Sequence, residues 1–171
     1  MSAIGKVATG DLSAYLAENP GAIVEQVAAE RGLTPRAVVE ALPREMRRFI
    51  SGAHFMDVMT AIGGWGDVTF IVHTADGIFE FSGSVPAGSV SRGYYNIPGG
   101  KGLHGHLRHE RCTEIGFLER PFMGRLSAAV LFFNAEGGIM FKVFVGRDEN
   151  RELKADQLSS FRALPGQFTA H

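Results

Sequence analysis

The hydrophobic pattern of this chain changes its period at Gly63-Gly64, and this change constrains the fold more than any other feature. Before the two glycines, apolar residues recur near every 3.6 positions, which is the spacing of a helix face. After them the period is two, which is the spacing of a strand. The chain is therefore expected to fold as helices followed by a run of strands.

Helix boundaries are marked by capping residues and prolines. The pattern predicts helices over residues 11–18, 22–31, 35–42, 54–62 and 154–163. Gly32 stands where a C-terminal capping glycine belongs. Thr34-Pro35 supplies an N-cap followed by proline at the first helical position.

The strand region is divided by turn signals. Strands are predicted over residues 68–73, 78–81, 89–97, 103–107, 112–119, 127–134 and 139–145. Ala75-Asp76-Gly77 joins the first two as a hairpin, and the segment 134–138 is the clearest hairpin turn. Residues 128–133 and 139–145 are apolar on both faces, so helices, a partner subunit or a ligand must cover the second face.

Length and composition restrict the class of protein. A chain of 171 residues that is 45% hydrophobic and 20% charged is expected to form one compact unit, with residues 1–48 as a helical segment and 49–171 as the main domain. The net charge of -1 gives no bulk attraction to nucleic acid or anionic membrane. The single cysteine excludes an internal disulfide. Neither a secretion signal nor an apolar stretch of membrane-spanning length is visible, so a cytoplasmic protein is expected.

The helical segment has the outline of a helix-turn-helix, which allows two interpretations. One is a small helical bundle that packs on the rest of the domain, and the other is a DNA-binding regulator. Acidic residues equal basic ones in number across residues 1–48. Since phosphate-contacting modules are normally basic, the charge balance favours packing over DNA contact.

Two histidines are candidate metal ligands. His73 ends a predicted strand beside a turn, and glycines at 99, 100, 102 and 105 precede His106 and would let a flat ligand approach the backbone closely. Imidazoles among aromatic and Met residues suit haem. Each histidine alone also has an ordinary structural explanation, as a hydrogen-bonding group at a turn or an incidental loop residue.

A zinc site is an alternative for part of this region, since His104, His106, His109 and Cys112 lie close together in the sequence. Their crowding does not match the two short ligand pairs, separated by a longer loop, of structural zinc sites. No catalytic triad, nucleophile elbow or phosphate-binding loop stands out.

Other residues would assist a haem ligand. Three basic residues flank His106 and could pair with ligand carboxylates: Arg92, Lys101 and Arg108. The simpler interpretation of each is a solvated residue on the loop surface. The phenols of Tyr94 and Tyr95 are further candidates, because phenolate also binds ferric iron.

Several motifs in fixed order resemble one family. They are Val38-Val39-Glu40-Ala41-Leu42-Pro43, Trp65-Gly66-Asp67-Val68-Thr69, Val72-His73-Thr74-Ala75-Asp76, Glu80-Phe81-Ser82-Gly83, Gly93-Tyr94-Tyr95-Asn96, Gly105-His106, Glu119-Arg120-Pro121-Phe122-Met123-Gly124, Leu131-Phe132-Phe133-Asn134 and Phe144-Val145-Gly146-Arg147-Asp148. Over nearly its whole length the chain resembles the HutX/ChuX family of intracellular haem-utilisation carrier proteins.

The resemblance implies an α+β fold in which N-terminal helices pack on a large antiparallel β-sheet, similar to half of the duplicated haem-trafficking proteins. It implies a homodimer that binds haem reversibly in the cytoplasm and delivers it to a haem-degrading enzyme. Since no general base or activated nucleophile is evident, the protein is expected to be a carrier and not an enzyme. The family's haem-binding histidines match His73 and His106. The alternatives are a helix-turn-helix transcriptional regulator with haem as effector, and a haem-degrading enzyme.

Overall fold

A computed structural model of the chain describes residues 3–98 and 100–168, with side chains from residue 11 onward. Within these residues the α-helices are α1 (Ala3–Glu18), α2 (Val24–Arg31), α3 (Pro35–Glu40), α4 (Phe55–Gly63) and α5 (Ala155–Ala163). No helix in the described ranges is long and apolar enough to cross a membrane.

Capping residues mark the end of α2 and the start of α3, as the sequence predicts. Gly32 adopts a left-handed conformation (φ 64°) after α2, and its N–H bonds to carbonyls of the last turn. The Thr34 side chain accepts a hydrogen bond from the Ala37 N–H, and Pro35 opens α3. The predicted first helix is longer than expected, beginning at Ala3, and α3 ends two residues earlier than expected, at Glu40.

Two antiparallel sheets follow. The strands in the described residues are β1 (Arg47–Ser51), β2 (Val68–Thr74), β3 (Gly77–Gly83), β4 (Ser89–Ser91), β5 (Tyr94–Ile97), β6 (Gly105–Leu107), β7 (Cys112–Phe122), β8 (Arg125–Asn134) and β9 (Ile139–Phe144). The large sheet has the order β1-β7-β8-β9-β2-β3, and the small sheet has the order β4-β5-β6. The large antiparallel sheet with packed helices confirms the expected α+β fold.

Two features of the sheets differ from the sequence prediction. β1 was not predicted, because its charged Arg47 and Arg48 hide the strand pattern and it pairs with the distant strand β7. The strand predicted over residues 89–97 is two strands, separated by a turn at Arg92-Gly93 in which both residues have positive φ.

The large sheet is covered on both faces, which explains its doubly apolar strands. On one face, α1–α3 pack against Leu131 and Phe133 of β8. On the other, α4, α5 and the small sheet pack against Val130 and Phe132. Helices and the small sheet therefore cover both faces of β8, as its doubly apolar pattern requires.

A buried glutamine locks α5 to the large sheet. The Gln157 side chain is 1% exposed. Its amide nitrogen donates to the Trp65 and Asp67 carbonyls at 2.9 and 2.8 Å, and its oxygen accepts from the Gly146 N–H at 2.7 Å. One buried backbone N–H and two partly buried carbonyls are thereby satisfied. This network fixes the start of β2, where the Trp65-Gly66-Asp67 motif lies.

Candidate functional site

An apolar groove lies beside α2 on the face of the large sheet that the N-terminal helices cover. Its inner part has a volume of about 270 Å³ and includes His73. The apolar lining comes from the helix, the central strands and the β7–β8 hairpin: Ile23, Val24, Ile71, Ile78, Leu118, Phe122, Met123, Ala129, Leu131 and Phe144. The groove therefore offers an apolar surface with an imidazole beside it.

His73 reaches this groove through strand alternation. It follows Thr69 and Ile71 on one face of β2, while Val68, Phe70 and Val72 pack into the core on the other face. Its side chain is 21% exposed, which leaves it accessible from the groove without being free in solvent.

Glu25 of α2 joins His73 to Lys142 of β9. One oxygen of the Glu25 carboxylate accepts a hydrogen bond from the Lys142 ammonium at 2.6 Å. The other oxygen lies 3.4 Å from Nδ1 of His73. Burial raises the pKa of the Glu25 carboxyl, but the charge and hydrogen bond of Lys142 more than offset this and hold the pKa below its ordinary value. The groove thus contains a carboxylate at neutral pH.

A second cavity of about 600 Å³ continues the groove along the same sheet face, and the two share residues including Ile71, Phe122 and Phe144. Its far end carries Arg125, Arg147 and Lys154. Sequence reasoning did not single out these cations, because they come from separate turns and a strand that meet only in the folded chain.

The three cations differ in how far they are engaged. Arg125 lies 3.4 Å from a Glu152 carboxylate oxygen. The Arg147 guanidinium donates to the Leu126 and Arg151 carbonyls at 2.7 and 3.0 Å. Within the described part of the chain, the Lys154 ammonium has no hydrogen-bond or ion-pair partner. It is therefore available to a ligand anion.

Arg120 closes the groove on the helix side. Its guanidinium donates to the Pro20 and Ala22 carbonyls at 2.9 and 2.6 Å, which ties β7 to the α1–α2 connection. Burial lowers the pKa of Arg120, while the carboxylate of Glu25 opposes that effect. This arginine holds the wall of the groove in place.

His106 lies on the outer face of the small sheet, in an open depression lined by Ser91, Arg92, Tyr94 and Asn96. Its Nδ1 is 2.6 Å from the Asn96 side-chain oxygen. Its ring and that of Tyr94 form a T-shaped pair, with 6.0 Å between ring centroids. Arg92, which lies near His106 in the sequence, lines the same depression.

His73 and His106 lie on opposite sides of the large sheet. The face of β2 that carries His73 looks into the groove, whereas the small sheet packs into the opposite core through Tyr95 and Leu107. His106 projects from the outer surface of that small sheet. The two imidazoles of one chain therefore do not converge on a common point.

The remaining predicted residues are divided between the depression and the core. Arg108 donates to the Tyr94 hydroxyl at 3.2 Å, near His106. Lys101 is exposed in the β5–β6 connection. Tyr95 is 1% exposed, and its hydroxyl accepts a hydrogen bond from the Gly88 N–H at 2.9 Å. Its phenol faces the core, so Tyr95 is not part of the proposed site.

The zinc alternative receives no support from the structure. Among the residues that it describes, no group of three or more His, Cys, Asp or Glu side chains could hold a metal ion. Cys112 is buried, and this burial raises the pKa of its thiol to about 11. A thiol in this state is a core residue and not a ready ligand or nucleophile.

The helix-turn-helix outline belongs to the sheet cover. Val38 and Val39 of α3 are fully buried against the large sheet. Arg36 of the same helix pairs with Glu114 and Glu40, and its guanidinium lies 3.8 Å from the ring centroid of Phe49. Because this helix is short and its arginine is already engaged, the structure does not favour the DNA-binding alternative.

Comparisons with known proteins agree with this arrangement. The model of the family described as "Haem utilisation ChuX/HutX" matches residues 48–164. The chain is 39% identical over 153 residues to the "Intracellular heme transport protein HutX" of Vibrio cholerae serotype O1, covering 89% of this chain and 79% of that protein. The solved structure of the heme-binding protein ChuX superposes with a TM-score of 0.85 at 40% identity, covering 93% of this chain and 99% of that one.

A more distant structure shows the relation to larger proteins of the same fold. Apo-PhuS from Pseudomonas aeruginosa, a heme-binding protein, superposes with a TM-score of 0.73 at 16% identity, and the match covers 93% of this chain but 47% of that one. At this identity the likeness is one of fold alone. Because the family model matches residues 48–164 and the HutX relative is 39% identical over 89% of this chain, the chain belongs to the haem utilisation ChuX/HutX family.

Proposed function

We propose that this protein binds haem in the groove beside α2, with His73 as an iron ligand, and carries it inside the cell. The observation that supports the proposal best is the position of His73 beside an apolar groove, with its Nδ1 facing a carboxylate. The nearby carboxylate favours a proton on Nδ1, so the lone pair on Nε2 is left for a ligand.

The residues of the groove suit the chemistry of haem. Its apolar lining complements a flat macrocycle, and the imidazole complements the iron. At the far end Lys154, Arg147 and Arg125 offer partners for two carboxylates. The two adjoining cavities, of about 270 and 600 Å³, reach the range of roughly 300–1,000 Å³ that is usual for small-molecule sites.

We infer that the protein carries haem and does not react with it. A carrier must release its cargo, and Ile78 and Met123 at the rim are 58% and 87% exposed, so the groove is open on one side. The name of the HutX relative, an intracellular heme transport protein, supports the same role. We further propose that the acceptor is a haem-degrading enzyme inside the cell.

A homodimer would bring the second histidine into play. Because His73 and His106 of one chain lie on opposite sides of the large sheet, coordination of one iron by both requires a second copy. Arg92, Lys101 and Arg108 would then contribute from the partner's surface around its own imidazole. The exposed Phe79 on the edge strand β3, 69% accessible, adds apolar surface for such pairing.

Hemin titration of the apo-protein tests the haem site. We expect a saturable Soret shift at one haem per chain or per dimer, weakened in H73A and lost in the double variant H73A/H106A. If each single variant alters the spectrum and mixing the two restores a fraction of native sites, the site lies between chains. Unchanged affinity and spectrum in the double variant would refute these ligands.

Two further measurements test assembly and delivery. Sedimentation of the apo- and haem-loaded protein should give the mass of two chains, and a monomer in both states would contradict the homodimer. Transfer of haem from the loaded protein to an apo haem-degrading enzyme should be faster than spontaneous haem release. Equal rates would remove the delivery role while leaving haem binding intact.

A further inference from the structure

Glu25 divides its two carboxylate oxygens between a cation and an imidazole. One accepts from the Lys142 ammonium at 2.6 Å, and the other lies 3.4 Å from Nδ1 of His73. The side chains of Glu25, Lys142 and His73 are 17%, 12% and 21% exposed. The three groups form a shielded row that runs from β9 through α2 to β2.

The Glu25 carboxylate favours one of the two tautomers of His73. A carboxylate can only accept a hydrogen bond, so it favours the tautomer with hydrogen on Nδ1. The lone pair is then on Nε2. In the described residues, Nε2 of His73 has no hydrogen-bond partner. The imidazole is thus prepared to coordinate through Nε2 before any ligand arrives.

A carboxylate behind a metal-binding imidazole has a chemical consequence. Metal-ligating histidines commonly donate their second N–H to a carboxylate or carbonyl, which fixes the ring and raises its basicity. The negative charge also stabilises a more positive metal by Coulomb attraction, and this effect is strong in a shielded setting. Lys142 offsets part of this charge, so the preference for ferric over ferrous iron comes from the carboxylate oxygen that faces His73.

We propose that Glu25 is a positioning residue that sets the tautomer of His73 and biases the site toward ferric haem. This inference rests on the proposed haem site. The residue lies on α2, outside the range 48–164 matched by the family model. The N-terminal helices thus act on the ligand site directly, in addition to covering the sheet. Lys142 keeps the carboxylate charged and in place.

A purely structural ion pair between α2 and β9 would show the same contacts, so the variants must separate the two roles. Replacing Glu25 alone leaves Lys142 shielded without its anion, which risks misfolding. The double variant E25Q/K142Q removes both charges, so it tests the carboxylate that faces His73 without changing the net charge of the row. The matched control is R36Q/E114Q, which removes another ion pair between an N-terminal helix and the sheet. The control pair does not contact His73.

The first measurement uses apo-protein. The ¹⁵N shifts of the His73 ring should report the Nδ1–H tautomer in the unsubstituted protein and in R36Q/E114Q. In E25Q/K142Q this preference should weaken, because a neutral amide replaces the carboxylate. A folded E25Q/K142Q protein with an unchanged tautomer would overturn the proposal, whatever its affinity for haem.

The second measurement compares ferric and ferrous haem affinity. E25Q/K142Q should lose about tenfold or more of its ferric affinity, in line with the usual effect of removing such a partner. Ferrous affinity should fall less, and each tenfold difference between the two states corresponds to about 59 mV of rise in midpoint potential. An equal shift in R36Q/E114Q would assign Glu25 a structural role alone.

Failure of the haem site itself would be recognised separately. If H73A binds ferric haem as tightly as the unsubstituted protein, then His73 is not the ligand, and both the site and this inference fail. If H73A weakens binding but E25Q/K142Q keeps the native ferric-to-ferrous ratio, the site stands and the role of Glu25 is refuted.

Discussion

The side-chain oxygen of Asn96 lies 2.6 Å from Nδ1 of His106, and the orientation of the Asn96 amide is fixed by its other contacts. Its nitrogen faces three carbonyl oxygens and the Ser91 hydroxyl, at 3.0 to 3.3 Å. Carbonyls can only accept, so the amide oxygen must be the atom that faces the histidine. His106 consequently carries its proton on Nδ1, and its Nε2 has no hydrogen-bond partner among the residues that the structure describes.

Replacing Asn96 by alanine should therefore change the tautomer of His106. Without the amide oxygen, the Nδ1–H form loses its partner, and we expect a mixture of tautomers in the apo-protein. The ¹³C shift of the ring Cδ2 of His106 measures the ratio. Y94F is the control, since it alters the neighbouring ring without touching this contact. An N96A protein that keeps the single Nδ1–H form would contradict the prediction.

Tyr95 should behave as a core residue and not as an iron ligand. The change Y95F leaves the Gly88 N–H without its acceptor, which should reduce the free energy of unfolding by about 1 kcal/mol. Denaturant unfolding measures this loss. Haem affinity and the Soret spectrum should stay native. A changed ferric spectrum in Y95F, at unchanged stability, would return the phenol to the set of candidate ligands.

The Gln157 network should make a large contribution to stability. In Q157L, the buried Gly146 N–H and the partly buried Trp65 and Asp67 carbonyls lose their partner. We expect a loss of about 3 kcal/mol in the free energy of unfolding, since an unsatisfied buried group costs roughly 1–3 kcal/mol and the two partly buried carbonyls add to that cost.

Thermal unfolding of Q157L should show the midpoint lowered by roughly 6–12 °C for a chain of this size. The exposed Gln26 supplies the matched control, because Q26L removes a surface contact with Glu30 and should change stability little. A Q157L midpoint within one or two degrees of the native value, on the order of the control's shift, would show that water or local rearrangement satisfies the three groups.

Cys112 should titrate only in strong base. Burial raises the pKa of its thiol to about 11, above the ordinary value of 9.0, so the folded state retains the proton longer than the unfolded chain. The stability associated with this thiol is complete below pH 9 and declines as the pH rises from 9 toward 11.

Alkylation kinetics of the native protein measure the titration of Cys112 directly. The rate should rise with a midpoint near pH 11, and C112A serves as the blank for reaction at other side chains. A midpoint near pH 8 or 9 would show that the thiol is open to solvent. The same profile in denaturant should return to the ordinary range.

Local signals in the sequence were sufficient for much of the fold. The left-handed Gly32, the Thr34 cap and the turn at Asn134, whose side-chain oxygen accepts from the Glu136 and Gly138 N–H groups, each act within a few residues. Such features can be recognised without a tertiary structure. β1 could not be recognised in this way, because its pairing with β7 joins positions far apart in the chain.

Part of the candidate site could likewise be predicted from local signals, and part could not. The end of a strand identified His73, and the glycines before His106 identified the second imidazole. Glu25 carries no local mark, since an acidic residue in the first turn of a helix is ordinary, and its partners lie on β2 and β9. The opposite placement of the two histidines also depends on strand order, which alternation alone does not determine.

The placement of one imidazole on each side of the large sheet has a consequence for symmetry. If two copies pair so that each lends its outer ring to the other's groove, a two-fold axis closes the assembly and creates two equivalent binding positions. A head-to-tail arrangement of the same surfaces would leave one open end on each side and would propagate into chains. The symmetry of the pairing would therefore set both the number of haem sites in the assembly and whether the assembly stays finite.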